Sequence, residues 1–109
     1  MTYIEVREYL TSDGRCPFGE WLAGLRDRQA RIRILGRLDR MRAGLRGDWK
    51  AVGKGVFELR VDHGPGYRVY CGQDGETLVL LLCGGDKRTQ ARDIEVAHDY
   101  WQDYKARSG

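Results

Sequence analysis

The chain has 109 residues, 41% of them hydrophobic and 32% charged, with a formal net charge of +3. That length builds one domain, residues 1–109, with a modest core; no run approaches the ~20 apolar residues of a membrane span, and the opening MTYIEVREYL lacks a secretory apolar core, so a cytoplasmic protein with no membrane partner is the expectation. Cys16, Cys71 and Cys83 have no CxxC spacing and there are only two histidines, so no four-ligand zinc set can be written, the cysteines read as reduced and structural, and no metal or cofactor is expected.

In chain order, YIEVREY alternates and predicts a first strand from Tyr3 to Tyr9. Asp13-Gly14 marks a turn, and Pro17 stands where a proline opens a helix. Phe18, Trp21, Leu22 and Leu25 follow at helical spacing, then a second helix carries Ile34, Leu38, Met41 and Leu45 as its buried stripe. From Arg26 to Arg46 this region holds eight arginines against Asp27 and Asp39, the footprint of a polyanion partner or else a solvated helix face. Arg33, Arg37 and Arg40, at i, i+4 and i+7, form one basic ridge and are RNA-binding candidates. GDWKAVGKG reads as a glycine-rich loop, with Lys54 a further candidate for RNA contact, before VFELRV, YRVYCG and TLVLLLCG give three strands. A final helix carries Ile94, Ala97, Trp101 and Tyr104 at 3-4 spacing and reads as a core helix. The order β-α-α-β-β-β-α predicts an α+β domain with a mostly antiparallel sheet.

The hairpin ELRVDHGPGYRVYCG raises a question of charge. Matching the apolar set Phe57, Leu59, Val61 with Tyr67, Val69, Cys71 puts Arg60 opposite Arg68 on the other face, beside Glu58 and Asp62. Two facing guanidinium groups repel unless an anion sits between them. The Asp-Gly in QDGE, taken as a two-residue turn, sets Arg68 opposite Leu81 and Val69 opposite Leu80. TLVLLLC is then apolar on both sides, one covered by the helical pair and the other, on the arginine face, open to a partner.

GGDKRTQ lacks the GxxxxGK[ST] pattern of a P-loop, and no Ser-His-Asp set can be assembled. Arg60, Arg68, Lys87 and Arg88 can instead surround one phosphodiester and stabilise charge that develops on it. RNA suits such a site because its 2′-OH supplies the nucleophile. The proton carriers available are Glu58 or His63 as base and Lys87 or a histidine as acid. Glu58 reads equally as an ion-pair partner of Arg60, and His63 as an exposed turn residue.

Taken together, ELR, GPGYRVY, LLLCGGDKRTQ and the DI…A…YW run resemble the RelE/ParE superfamily of type II toxins, specifically the phage-derived Gp49-like or HigB-like branch called addiction module killer proteins. The resemblance covers nearly the whole chain. It implies a RelE-like domain with a curved antiparallel sheet flanked by helices, and a metal-independent endoribonuclease that cuts messenger RNA, commonly at the ribosome, and so inhibits translation. It further implies neutralisation by a cognate helix-turn-helix antitoxin. Carried over by position, Arg60, Arg68, Lys87 and Arg88 form the basic set. The chain departs from the best-known RelE toxins by carrying Glu58 where they place a lysine, and Ile94 near their final-helix tyrosine, which implies a different acid-base set. The rival reading is a non-catalytic antitoxin-binding protein or a ParE-like inhibitor of a protein target.

Overall fold

Two apolar faces on one sheet, each covered by helix, set the architecture. The computed structural model describes residues 3–108. Its strands are β1 (Glu5–Glu8), β2 (Trp49–Gly53), β3 (Val56–Val61), β4 (Tyr67–Asp74) and β5 (Leu78–Asp86), and they pair in the order β1-β5-β4-β3-β2. The β1 strand runs parallel to β5, and every other neighbour is antiparallel. The helices α1 (Pro17–Gly24) and α2 (Arg28–Arg42) precede β2, while α3 (Gln90–Ser108) follows one 3-10 turn, Lys87–Thr89. The expected α+β domain is present, with one strand more than the sequence pattern indicated.

Alternation divides the core. Phe57, Leu59, Val69, Cys71, Val79 and Leu81 pack with Phe18, Ile34, Leu38 and Met41 under α1 and α2. Val56, Tyr70, Leu80, Leu82 and Cys83 pack with Ala97 and Trp101 of α3 on the other side. The second apolar side of β5 is therefore covered by the chain's own last helix, not left open for a partner. Cys71 and Cys83 belong to opposite faces, and all three cysteines are free.

Pro17 occupies the first turn of α1, and Asp27 caps α2 by accepting from the Ala30 amide at 3.1 Å. The α2 helix stops earlier than its apolar stripe suggested. Gly44 takes φ +86°, its N–H donates to Met41 O and that of Leu45 to Arg40 O, both at 2.9 Å, a Schellman closure that satisfies the last carbonyls. Leu45 thus leaves the stripe and is 62% exposed. GDWKAVGKG also differs from expectation: Trp49–Gly53 within it is an edge strand on β3. An edge strand that exposes most of both faces lacks the alternation by which strands are recognised.

The β3–β4 register is the expected one, with Arg60 opposite Arg68 and Leu59 opposite Val69. The β4–β5 register is not. Asp74 pairs with Leu78, so the turn is longer than two residues, and a bulge between Tyr70 and Cys71 shifts the pairing again. Arg68 and Val69 consequently face Gly85 and Gly84 rather than Leu81 and Leu80. Those glycines admit close neighbours: a Cβ at Gly84 would overlap the Trp21 ring, and one at Gly85 the Asp93 carboxylate. Gly84→Ala is expected to lower stability by about 1–3 kcal/mol through overpacking, read as a lower urea midpoint with an unchanged m-value.

Candidate active site

The anion between the facing arginines is supplied by the chain itself. Glu58, Arg60, Arg68 and Tyr70 share the α3 face of the β3–β4 ladder, because Glu58 pairs with Tyr70 and Arg60 with Arg68. Glu58 is 0% exposed. Its Oε1 accepts from Arg60 Nε at 3.1 Å, its Oε2 lies 4.0 Å from Arg68 Nε, and Gln90 Nε2, at the start of α3, reaches both oxygens at 3.1 Å. Such a carboxylate is fully engaged and has no contact with solvent. It orients guanidinium groups; it is not placed to take a proton from a substrate. The Tyr70 hydroxyl and Arg68 Nε are buried without hydrogen-bond partners among the described residues. Burial, and then the charge of Glu58, push the Tyr70 phenol well above its ordinary pKa, so it stays protonated.

Above this layer lies a cavity of about 280 Å³. Arg60, Arg68 and Lys87 supply its positive charge, Asp48 and Asp62 its carboxylates, and Val61 and Gly66 complete the wall. Arg68 is mostly covered, with a side-chain exposure of 13%, whereas Lys87 is exposed. Lys87 arrives through the β4–β5 register: Tyr67 pairs with Asp86, and the Lys87 amide donates to Gly66 O at 2.9 Å. Three of the four cations expected to act together are thus brought together.

The other candidates lie elsewhere. Arg88 folds back on Asp86, with Nη2 2.9 Å from Oδ2 and its own amide 2.9 Å from Oδ1, and its side chain is 82% exposed. These bonds hold the Asp86 carboxyl below its usual range. His63 does not line the cavity; its Nε2 lies 3.0 Å from Asp27 Oδ2, tying the β3–β4 turn to the cap of α2. The Ala30 amide first, and His63 second, lower the Asp27 pKa. Arg37 is engaged by backbone: its guanidinium donates to Arg60 O, to Arg46 O at 3.0 Å and to Asp48 O at 2.9 Å, and burial lowers its pKa without threatening its charge. Arg33 and Arg40 remain exposed on α2, and Lys54 sits in the β2–β3 turn with φ +59°.

Sequence reasoning passed over Asp48 and Asp62 as members of the site. Asp62 had a signal, since it continues the alternation of Glu58 and Arg60. Asp48 had none, because only the return of the chain into β2 carries it to the cavity.

The model of the family described as phage derived protein Gp49-like (DUF891) matches residues 20–101. The chain belongs to the phage-derived Gp49-like family. Its matched stretch contains every residue that lines the cavity. A relative of this Gp49-like chain in Haemophilus influenzae, described there as an uncharacterized protein, is 49% identical over 94 residues, which covers 86% of this chain and 89% of that protein. Among the described residues no helix is long and apolar enough to cross a membrane.

Removing the buried anion leaves two partly buried guanidinium groups facing each other. Glu58→Ala is expected to destabilise the fold by about 3 kcal/mol or more, whereas Glu58→Ala combined with Arg60→Met should recover part of that loss. Chemical denaturation of the single and double variants reads both.

Proposed function

We propose that this Gp49-like protein is the toxin of a type II toxin-antitoxin pair, a RelE-like endoribonuclease that cuts messenger RNA, inhibits translation and is neutralised by a helix-turn-helix antitoxin. The observation that carries the reading is the cavity in which Arg60, Arg68 and Lys87 converge, with the two arginines held from below by a buried carboxylate. Guanidinium groups fixed in advance stabilise developing phosphorane charge without reorganising during the reaction.

In this reading the RNA 2′-OH attacks the adjacent phosphorus. Its proton passes to a carboxylate of the cavity wall, with Asp62 and Asp48 the available acceptors. The O2′–P bond forms, the P–O5′ bond breaks, and the Lys87 ammonium protonates the leaving 5′ oxygen. The products are a 2′,3′-cyclic phosphate and a 5′-hydroxyl end. The nucleophile belongs to the substrate, so no metal-bound hydroxide has to be generated for the attack.

Arg68→Ala should abolish growth arrest on expression and lower the single-turnover cleavage rate by about 10²–10³. Arg88→Ala and His63→Gln, which alter residues outside the cavity wall, should change that rate by less than tenfold. Asp62→Asn and Asp48→Asn separate the two acceptors, the true base showing the loss on its side of the pH profile. Full toxicity in both Arg68→Ala and Lys87→Ala would detach toxicity from this cavity and leave antitoxin pairing as the chief property of the fold.

A further inference from the structure

The cavity does not end at Lys87. A second hollow of about 290 Å³ shares Val61 and Asp62 with it and continues along α2 past Arg33, Gly36 and Arg40. A third, of about 330 Å³, shares Asp48 with the first and Arg37 and Arg40 with the second, and reaches Leu45. The second and third lie along α2 beside the ends of β2 and β3, and the first adjoins them across Asp48, Val61 and Asp62. Their walls together carry six cationic side chains and two carboxylates, Asp48 and Asp62.

The arginines of this cleft divide by what binds them. Arg37 is fixed as wall by the carbonyls of Arg46 and Asp48. Arg33 and Arg40 have no carboxylate within ion-pair distance among the described residues; Asp39, beside Arg40, is taken by Arg42 at 2.8 Å. Gly36 adds an independent observation. It lies within a 15-residue helix, where glycine is disfavoured, yet a Cβ there would meet nothing within 4 Å. Packing does not demand it. Its effect is to leave the floor of the second hollow open.

We propose that this cleft is a track for single-stranded RNA, which carries the strand flanking the scissile phosphodiester along α2, with phosphates at Arg33 and Arg40 and a base against the exposed Leu45. The proposal rests on the nuclease reading for which phosphodiester enters the Arg60–Arg68–Lys87 cavity. Adjacency to that cavity favours a polynucleotide over an acidic polypeptide, because the strand whose phosphodiester the cavity holds has flanking phosphates that must pass along a neighbouring surface. The carboxylates of Asp48 and Asp62 stand at the junction, where they disfavour a phosphate and so help fix the register of the strand.

The test uses the full chain, fluorescein-labelled 2′-O-methyl RNAs of four and twelve nucleotides, which lack the nucleophilic hydroxyl, and polyglutamate as a second probe. The twelve-mer is expected to bind at least tenfold more tightly than the four-mer. Arg33→Ala and Arg40→Ala should each reduce its salt slope by about 0.7 and leave four-mer binding unchanged. Gly36→Leu should raise the melting temperature and abolish the length advantage, while Gly36→Ala raises the melting temperature and keeps it, a pairing that no purely structural role of Gly36 produces. Binding independent of length, or a Gly36→Leu variant that binds the twelve-mer like the parent, would overturn the track. So would polyglutamate binding as tightly with the same arginine dependence, which would mark a protein-docking face. The two readings separate cleanly: length-dependent binding without cleavage of unmodified RNA sinks the nuclease and keeps the track, whereas cleavage indifferent to flanking length does the reverse.

Discussion

A carboxylate buried beneath two arginines is the constraint from which the rest of the molecule can be understood. Glu58 is sealed between the sheet and α3, where an unpaired charge would be untenable. Arg60 and Arg68 meet that requirement, and Glu58 in turn relieves their mutual repulsion. One negative charge against two positive ones leaves a surplus, so the cluster is internally compensated and still attracts an anion from the cavity side. Gln90 extends the arrangement to the first residue of α3. Docking the last helix and orienting the arginines are therefore one event.

The same economy governs the arginine-rich helical region, where eight similar side chains have dissimilar tasks. Arg37 donates to the Arg46 and Asp48 carbonyls and so ties the loop before β2 to α2. Arg46 lies over Trp49 and Phe57, with its guanidinium carbon 4.6 and 4.0 Å from the ring centroids, and hydrogen-bonds Gln73. Arg42 is paired with Asp39. Arg33 and Arg40, with no ion pair among the described residues, border the cleft beside the cavity. A basic stretch in this fold is thus part scaffold and part electrostatic surface, and net charge alone conceals the division.

Small residues make the geometry possible. Gly84 admits the Trp21 ring on one side of β5, and Gly85 admits the Asp93 carboxylate on the other, where Asp93 accepts from the Thr89 hydroxyl at 2.6 Å. The glycine pair ahead of Asp86 and Lys87 thus serves close packing of helices on a strand, and the turn after it carries Lys87 over the end of β4.

Residues within a single hairpin were legible without a structure. The alternation of Phe57, Leu59 and Val61 against Tyr67, Val69 and Cys71 determined which side faces α2 and forced Arg60 opposite Arg68, because side-chain direction in a strand has a period of two. The helix start at Pro17 and the α+β class followed from equally local chemistry. What the sequence left open were relations between segments that do not adjoin. Whether Glu58 was a base or a buried counter-charge depended on α3 arriving over it. Whether Lys87 joined the arginines depended on a turn longer than two residues and a bulge opposite Tyr70, since each added residue moves every later side chain along the partner strand. Asp48 reached the cavity, and Arg88 and His63 stayed outside its wall, only through the packing of distant elements, which no local periodicity encodes.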